Sequence, residues 1–476
     1  MTTTTTQLAT RSGRLILALL CSVAFLDFID AVIVNVAIPS IQEDLSFTPE
    51  NLQWVASGYL LTYGGFMLLG GRAADLIGRR RVLFIGVIIF AAASLLGGLA
   101  PNSETLIGAR IIQGAGAALM LPAALSTLTA TFEEGPDRRK ALGIWGGIVG
   151  LASAAGVLLG GILTEWFGWR SVLLVNPIVC VLIAIAMFRV LPDDRRSASG
   201  NRFDIPGTVL GTAGMLLLVY GIVEAHNSGW DSATTWLRLG GALALLVAFV
   251  INEHRHPNPL MPLSIFRVPG LAAANLTQLI AIAGFMSMFF FLTLYMQFVL
   301  EYSALKTGFA YLPVTMGIGL GAGSSTKLIP RIGTRPIIVA GALIASVGVF
   351  VLSQMPADGE YLTDLLPGMI AMSLGLGSVL VGVTNAAHAG VPESKLGLAA
   401  ALLNSSMQVG GALGLAILST IAATRTEDLL RAGTSQPEAL TSGFGRALLA
   451  SSIAIVVAAL IGLRTHNTRS NDAPMV

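Results

Sequence analysis

Charge is what this sequence has least of. Only 11% of its 476 residues are Asp, Glu, Lys or Arg, against about 25% in soluble domains. A net charge of +2 gives no reason to expect nucleic acid as a partner. Cysteine is nearly absent. Cys21 and Cys180 both sit inside apolar runs, so they read as buried small hydrophobes and not as a disulfide framework. No lysine follows a glycine, which removes the GK[ST] phosphate loop and ATP hydrolysis by that route. No cluster of His, Cys and acidic side chains suggests a metal or haem centre. Neither an enzyme nor a bound cofactor or metal is expected.

What remains is apolar and small. Hydrophobic residues make up 54% of the chain, and 54 glycines allow helices to approach closely. The chain starts with a polar tail, MTTTTTQLATRSGR. The apolar run after it is too long for a signal-peptide core and is expected to stay as the first span. A membrane helix needs about 20 apolar residues. That length predicts fourteen spans, near 15–40, 52–71, 82–100, 105–131, 141–164, 169–190, 205–225, 234–252, 270–299, 304–325, 335–354, 364–387, 397–422 and 443–463. With the N-terminus inside, 21 basic residues fall on inner segments, six on outer ones and Arg110 within a span. Positive charge favours the cytoplasmic side. A multi-pass plasma-membrane protein with both termini in the cytoplasm is therefore expected, with the lipid bilayer as its partner.

A short internal repeat organises these spans. DLIGRRRVLFIG between spans 2 and 3 matches PRIGTRPIIVAG between spans 10 and 11, and Gly78 and Gly86 align with Gly333 and Gly341. The offset pairs spans 1–6 with spans 9–14 and leaves spans 7 and 8 as an insert. The expected division is a six-helix half over 1–190, a linker with two inserted helices over 191–262, and a second six-helix half over 263–476. Two such halves around a central pathway are a transporter plan.

Several stretches in this order resemble the major facilitator superfamily, and within it the fourteen-helix branch of drug:proton antiporters. They are IDAVIVNVAIP (Ile29–Pro39), GRAADLIGRRR (Gly71–Arg81), RIIQGAGAA (Arg110–Ala118), WRSVLLVNP (Trp169–Pro177), LYMQFVLEYSALKTGFAYLP (Leu294–Pro313) and GLAAALLNSSMQVGGALGLA (Gly397–Ala416). The resemblance implies an all-α polytopic major facilitator fold and a cytoplasmic latch at Gly71, Asp75, Gly78 and Arg79. It also implies an intramembrane arginine at Arg110 and an acid at Asp30. Two departures stand out. Val32 replaces a threonine of the first motif. In the helix 5 antiporter motif, Ala152 and Val157 stand where the family has a glycine and a proline.

Asp27 and Asp30 are the costly residues. A carboxylate at membrane depth costs about 2.5–3.5 kcal/mol on insertion scales, and three residues' separation puts both on one helix face. They are expected to face the pathway and titrate as a unit, with Arg110 close enough to reach Asp30. These three residues are the expected proton-coupling group, with protons as the coupling ion. The substrate cavity is expected to draw on Asn35, Gln113, Phe289, Tyr295, Gln297, Asn404 and Gln408. Of these, Asn35 is expected to bond a neighbouring helix. The function expected is proton-coupled efflux of small hydrophobic drugs or antibiotics, cations among them, by a monomer. Proton-linked export of a lipid or metabolite stays open as an alternative, as does, more distantly, a channel or non-transporting sensor.

Overall fold

The computed structural model describes residues 8, 10–132, 136–191, 204–257, 259–392 and 396–468. They form sixteen α-helices and no strand. In chain order these are α1 (Arg11–Leu45), α2 (Pro49–Leu52), α3 (Trp54–Ile77), α4 (Arg79–Gly98), α5 (Ser103–Thr131), α6 (Pro136–Phe167), α7 (Arg170–Val190), α8 (Ile205–Ser228) and α9 (Ala233–Arg255). There follow α10 (Leu271–Leu294), α11 (Ala304–Ala310), α12 (Leu312–Ile332), α13 (Thr334–Leu352), α14 (Leu366–His388), α15 (Leu396–Arg431) and α16 (Gln436–Gly462). Thirteen of the expected spans each land on one long helix, and the one near 304–325 is divided between the short α11 and α12. Eleven of the described helices are both long and apolar enough to cross a membrane. The long helices outside that eleven are α3, α6 and α12; in α12, glycine, serine and Lys327 dilute the apolar content.

The same packing scheme occurs twice. In an N-terminal set, α4 packs on α5 and α7, α1 on α5, α6 and α7, and α3 on α5. In a C-terminal set, α13 packs on α14 and α16, α10 on α14, α15 and α16, and α12 on α14. Small residues make these crossings. A Cβ on Gly156 or Gly160 of α6 would press into Val32 and Ile33 of α1, so the glycines of the helix 5 motif serve close packing here. Between the sets, α3 and α15 share an extended seam, whereas their counterparts α12 and α6 touch over a short stretch. The inserted α8 lies against both α3 and α15, and α9 packs on α8.

The outward faces stay apolar. Ile178, Leu182 and Phe188 on α7, Leu237 and Leu243 on α9, and Met316 and Leu320 on α12 are all exposed. Such a surface would associate in water and suits lipid instead.

One boundary corrects the sequence reading. The stretch from Gly71 was expected to be a loop, but α3 runs on to Ile77. Nothing before Gly78 breaks the helix, and Gly78 does so at φ 112°, a conformation glycine adopts without a Cβ clash. Gly333 makes the matching turn between α12 and α13 at φ 93°. Gly71 itself has room for a side chain, its nearest neighbour being Pro122. Arg79 opens α4 and is half-buried. The Asp75 side chain lies outside the described residues.

Candidate functional site

Among the described residues, Asp27, Asp30 and Arg110 are buried where α1, α3, α5 and α7 meet, and the other buried acids, Asp204 and Glu253, belong to the inserted pair. Asp30 (0% exposed) and Arg110 (1% exposed) form an ion pair, with Arg110 Nη1 2.8 Å from Asp30 Oδ2. Burying a lone arginine in an apolar bundle is costly, so its remaining donors need partners. They have them. Nε donates to the Val55 carbonyl at 3.0 Å, and Nη1 also reaches Gln113 Oε1 at 2.7 Å. The guanidinium carbon lies 4.2 Å from the centre of the Tyr59 ring, a cation–π contact. A glycine makes room for this. Any Cβ on Gly114 would strike the Tyr59 carbonyl and the Thr62 hydroxyl, so α3 and α5 touch backbone to backbone beside Arg110.

Asp30 is fully engaged. Its Oδ1 accepts from Gln113 Nε2 at 3.0 Å and from Asn176 Nδ2 at 2.5 Å. Asn176 also donates to Ser94 Oγ at 3.0 Å, and Ser94 in turn donates to the Leu173 carbonyl at 2.9 Å. One acid thus holds α1, α5 and α7 together, with α4 behind them.

Asp27 is held differently. It is 1% exposed, and its partners are phenols: Tyr59 Oη donates to Oδ1 at 3.1 Å and Tyr63 Oη to Oδ2 at 2.6 Å. Its salt-bridge partners among the described residues number none. Gln408 of α15 lies close by, its Cβ packed against Gly64, the residue after Tyr63. Tyr59 and Tyr63 meet edge to face, 5.6 Å apart. The two acids share a helix face as the spacing implied. They do not face an open pathway, however, because side chains from three other helices close over both.

Most of the expected cavity residues hold hydrogen bonds within the protein. Gln113 belongs to the ion-pair network. Asn35 donates to the Ala31 carbonyl of its own helix, not to a neighbour, and Asn404 does the same to Ala400. This i−4 bond satisfies an amide without any partner helix. Tyr295 is fully buried and donates to the Pro356 carbonyl at 2.6 Å. Gln297 donates to the Val36 carbonyl at 3.0 Å and so ties the π-turn after α10 to α1. Phe289 is half-buried against Tyr311, their rings 5.6 Å apart. Gln408 is buried at the seam. Tyr59, Tyr63 and Asn176 were missed by the sequence reading. Their signals were a Tyr-x-x-x-Tyr spacing on α3 and the asparagine of the LVNP run.

At the end of the bundle away from Arg79–Arg81, further contacts join the sets. Glu165 Oε2 accepts from the Leu305 backbone at 3.0 Å, and Gly161 and Gly308 bring α6 and α11 into close contact. Asp44 there takes Trp169 Nε1 at 3.0 Å and pairs with Arg170.

A sequence model of the Major Facilitator Superfamily matches residues 20–415. The chain belongs to that superfamily. Membership makes this facilitator a membrane transporter, not an enzyme. It is 40% identical to the puromycin resistance protein pur8 of Streptomyces alboniger over 90% of this chain and 85% of that one. It is 38% identical to the cephamycin export protein CmcT of Amycolatopsis lactamdurans, over 96% and 93% of the two chains. Among solved structures, a bacterial homolog of the human lysosomal transporter Spinster, inward-facing and unoccupied, superposes with a TM-score of 0.68 at 17% identity. That match covers 95% of this chain and 97% of the other. It speaks for the fold alone.

Proposed function

We propose that this facilitator is a proton-coupled antiporter that exports small hydrophobic drugs or antibiotics, cations among them, by alternating access. Its fourteen long helices are taken as spans of the plasma membrane, with both termini in the cytoplasm. Residues 1–190 and 263–476 are the two moving halves, and 191–262 carry the inserted pair. The protein works as a monomer, and protons are its coupling ion. The names of its relatives support export: two are resistance or export proteins for puromycin and cephamycin, and a lincomycin resistance protein of Streptomyces lincolnensis is 36% identical over 86% of this chain.

The observation that carries the coupling is the contrast between the two acids. Asp30 already has its cation and two amide donors. Asp27 is as deeply buried, with two neutral phenols and no cation. Taking up a proton there removes an uncompensated buried charge; taking one up at Asp30 would dismantle an ion pair. Asp27 is therefore the carrier, and Asp30 with Arg110 is the frame that holds α1 in place. Both acids are buried in this conformation, and alternating access would open Asp27 to each face in turn.

Purified protein in liposomes tests this, with puromycin and a cationic dye as probes. Wild type is expected to show saturable uptake driven by a pH gradient. Asp27→Asn keeps hydrogen bonds to both phenols and should stay folded, yet lose the gradient-driven part; Asp27→Glu should keep some of it. Wild-type gradient-driven uptake by Asp27→Asn would overturn the assignment.

A further inference from the structure

We infer that Asp204 and Glu253 form a second proton site, at the cytoplasmic end of the inserted helix pair, and that its proton fastens the pair to the second helix set. The inference takes only the membrane orientation from the proposed function and does not need Asp27 as carrier. Both acids are buried, Asp204 being 1% exposed and Glu253 3%. Asp204 caps the start of α8, where its Oδ1 accepts from the Gly207 backbone at 2.8 Å. Glu253 sits in the last turn of α9, which packs along α8. Its Oε2 accepts from the Met261 backbone at 2.7 Å. Met261 begins the strap that runs through a 3-10 turn at Leu263–Arg267, where Ile265 is buried, into α10 of the C-terminal set.

The two carboxyl groups differ in what donates to them. The Asn252 amide reaches both oxygens of Asp204, at 2.9 and 2.8 Å, in addition to the Gly207 N–H. Donors at both oxygens suit an ionised group. Glu253 Oε1, in contrast, is buried with no donor among the described residues. An orphaned oxygen of this kind calls for a reason. It lies beside Asp204: a Cβ on Gly207 would sit 2.5 Å from Asp204 Oδ2 and 2.6 Å from Glu253 Oε1, so the two oxygens crowd one point where only glycine fits. Two carboxylates sharing a site away from water do not both stay ionised. A proton on Oε1 answers both demands. It turns the unpartnered acceptor into a donor, and Asp204 Oδ2 is the acceptor at hand.

The other charged groups nearby do not take the proton's place. His256, past the end of α9, has Nδ1 3.9 Å from Asp204 Oδ2, and His254 and Arg255 on α9 are exposed. On α8 the acid Glu224 is at the opposite end, paired with Arg238 of α9. Arg202 lies outside the described residues. When the proton leaves, one carboxylate has to reach water. Asp204 has donors at both oxygens, whereas Glu253 has one, so Glu253 is the side chain that swings out. Met261 then loses its acceptor, and the strap into α10 is released at its start. Because α8 also lies against α3 and α15, the fastened pair bridges both helix sets. An acidic cytoplasm keeps it fastened, and an alkaline one releases it.

Infrared spectra and backbone hydrogen exchange of the full-length protein in detergent read this site. Wild type should show a carboxylic-acid C=O band at neutral pH that fades in alkaline buffer. Over the same range the protection factor of the Met261 amide should fall about tenfold, as loss of one hydrogen bond implies. Glu253→Gln offers an amide N–H to Asp204 and a carbonyl oxygen to Met261. It should fold, lack that band and keep Met261 protected at every pH, while Asp27→Asn keeps both wild-type signals of this site. If Glu253→Gln fails to fold, Asp204→Asn, which still caps Gly207 but removes the second acid, should likewise lose the pH dependence. A wild-type band in Glu253→Gln or Asp204→Asn would overturn the proton site, and a wild-type fall in Met261 protection would overturn the fastening. A band that sodium ions remove at constant pH would make this a metal-cation site and overturn the proton assignment. Wild-type transport by Asp27→Asn would end the carrier reading and leave this site standing.

Discussion

In the N-terminal set, α4 and α5 cross at Gly86 and Gly116; in the C-terminal set, α13 and α14 cross at Gly341 and Gly375. A Cβ on Gly116 would strike the Phe90 backbone, four residues past Gly86, and one on Gly375 would strike the Ala345 backbone, four residues past Gly341. The two crossings are the same device. The side chains around them are not. The N-terminal set buries Asp27, Asp30 and Arg110. Among the described residues the C-terminal set buries no charged side chain. Its buried polar pairs are neutral, such as Thr293 with Tyr311 and Ser346 with Ser452. Small residues at crossings therefore set the fold in both copies, and the ionic network was added to one. If so, fold and coupling can be broken separately.

The largest expected effect is at the ion pair. Arg110→Ala leaves Asp30 buried without its cation, which costs about 3–5 kcal/mol. A sharp loss of thermal stability in detergent is expected, beyond that of any single polar deletion in the C-terminal set. Arg110→Met combined with Asp30→Asn should recover most of the stability, because no buried charge is left unpaired. It should not recover gradient-driven transport. Full transport by the double variant would show that the ionic network is only scaffolding.

Next in size come the glycine crossings. Gly116→Val and Gly375→Val each force a side chain into backbone atoms of the neighbouring helix, at about 1–3 kcal/mol for overpacking. If the crossings are equivalent, the two variants should lower the melting temperature by similar amounts. A large difference would mean that the likeness of the two sets stops at the backbone path.

The charged part of the site was legible in the sequence because Asp27, Asp30 and Arg110 are conspicuous in apolar runs, and the expected reach of Arg110 to Asp30 is the ion pair observed. The partners of the amides were not legible, for a physical reason. An amide in a membrane helix needs a partner, but the carbonyl four residues back will serve, as Asn35 and Asn404 demonstrate. Nothing in the spelling separates such an asparagine from Asn176, which reaches another helix. Tyr59 and Tyr63 were silent because tyrosine is common at membrane interfaces and only the partner gives it a role. The repeat was legible at its glycines because positive φ at Gly78 and Gly333 admits few other residues.

The smallest expected effect separates the sets most sharply. Ser94 on α4 and Ser346 on α13 hold corresponding contacts, α4 to α7 and α13 to α16. Ser94 donates to the Leu173 carbonyl at 2.9 Å, and Ser346 donates to the Ser452 carbonyl at 3.0 Å. Either serine replaced by alanine should cost about 0.6 kcal/mol, the average for a hydrogen bond between membrane helices. Yet Ser94 also accepts from Asn176, whose amide holds Asp30. Losing that acceptor frees Asn176 to turn, and Asp30 then relies on Arg110 and Gln113. Ser94→Ala should therefore change the pH profile of transport, while Ser346→Ala leaves it as in wild type, at matched stability. Equal profiles would mean that the proton site ends at the residues touching the acids, with no support from the helices behind them.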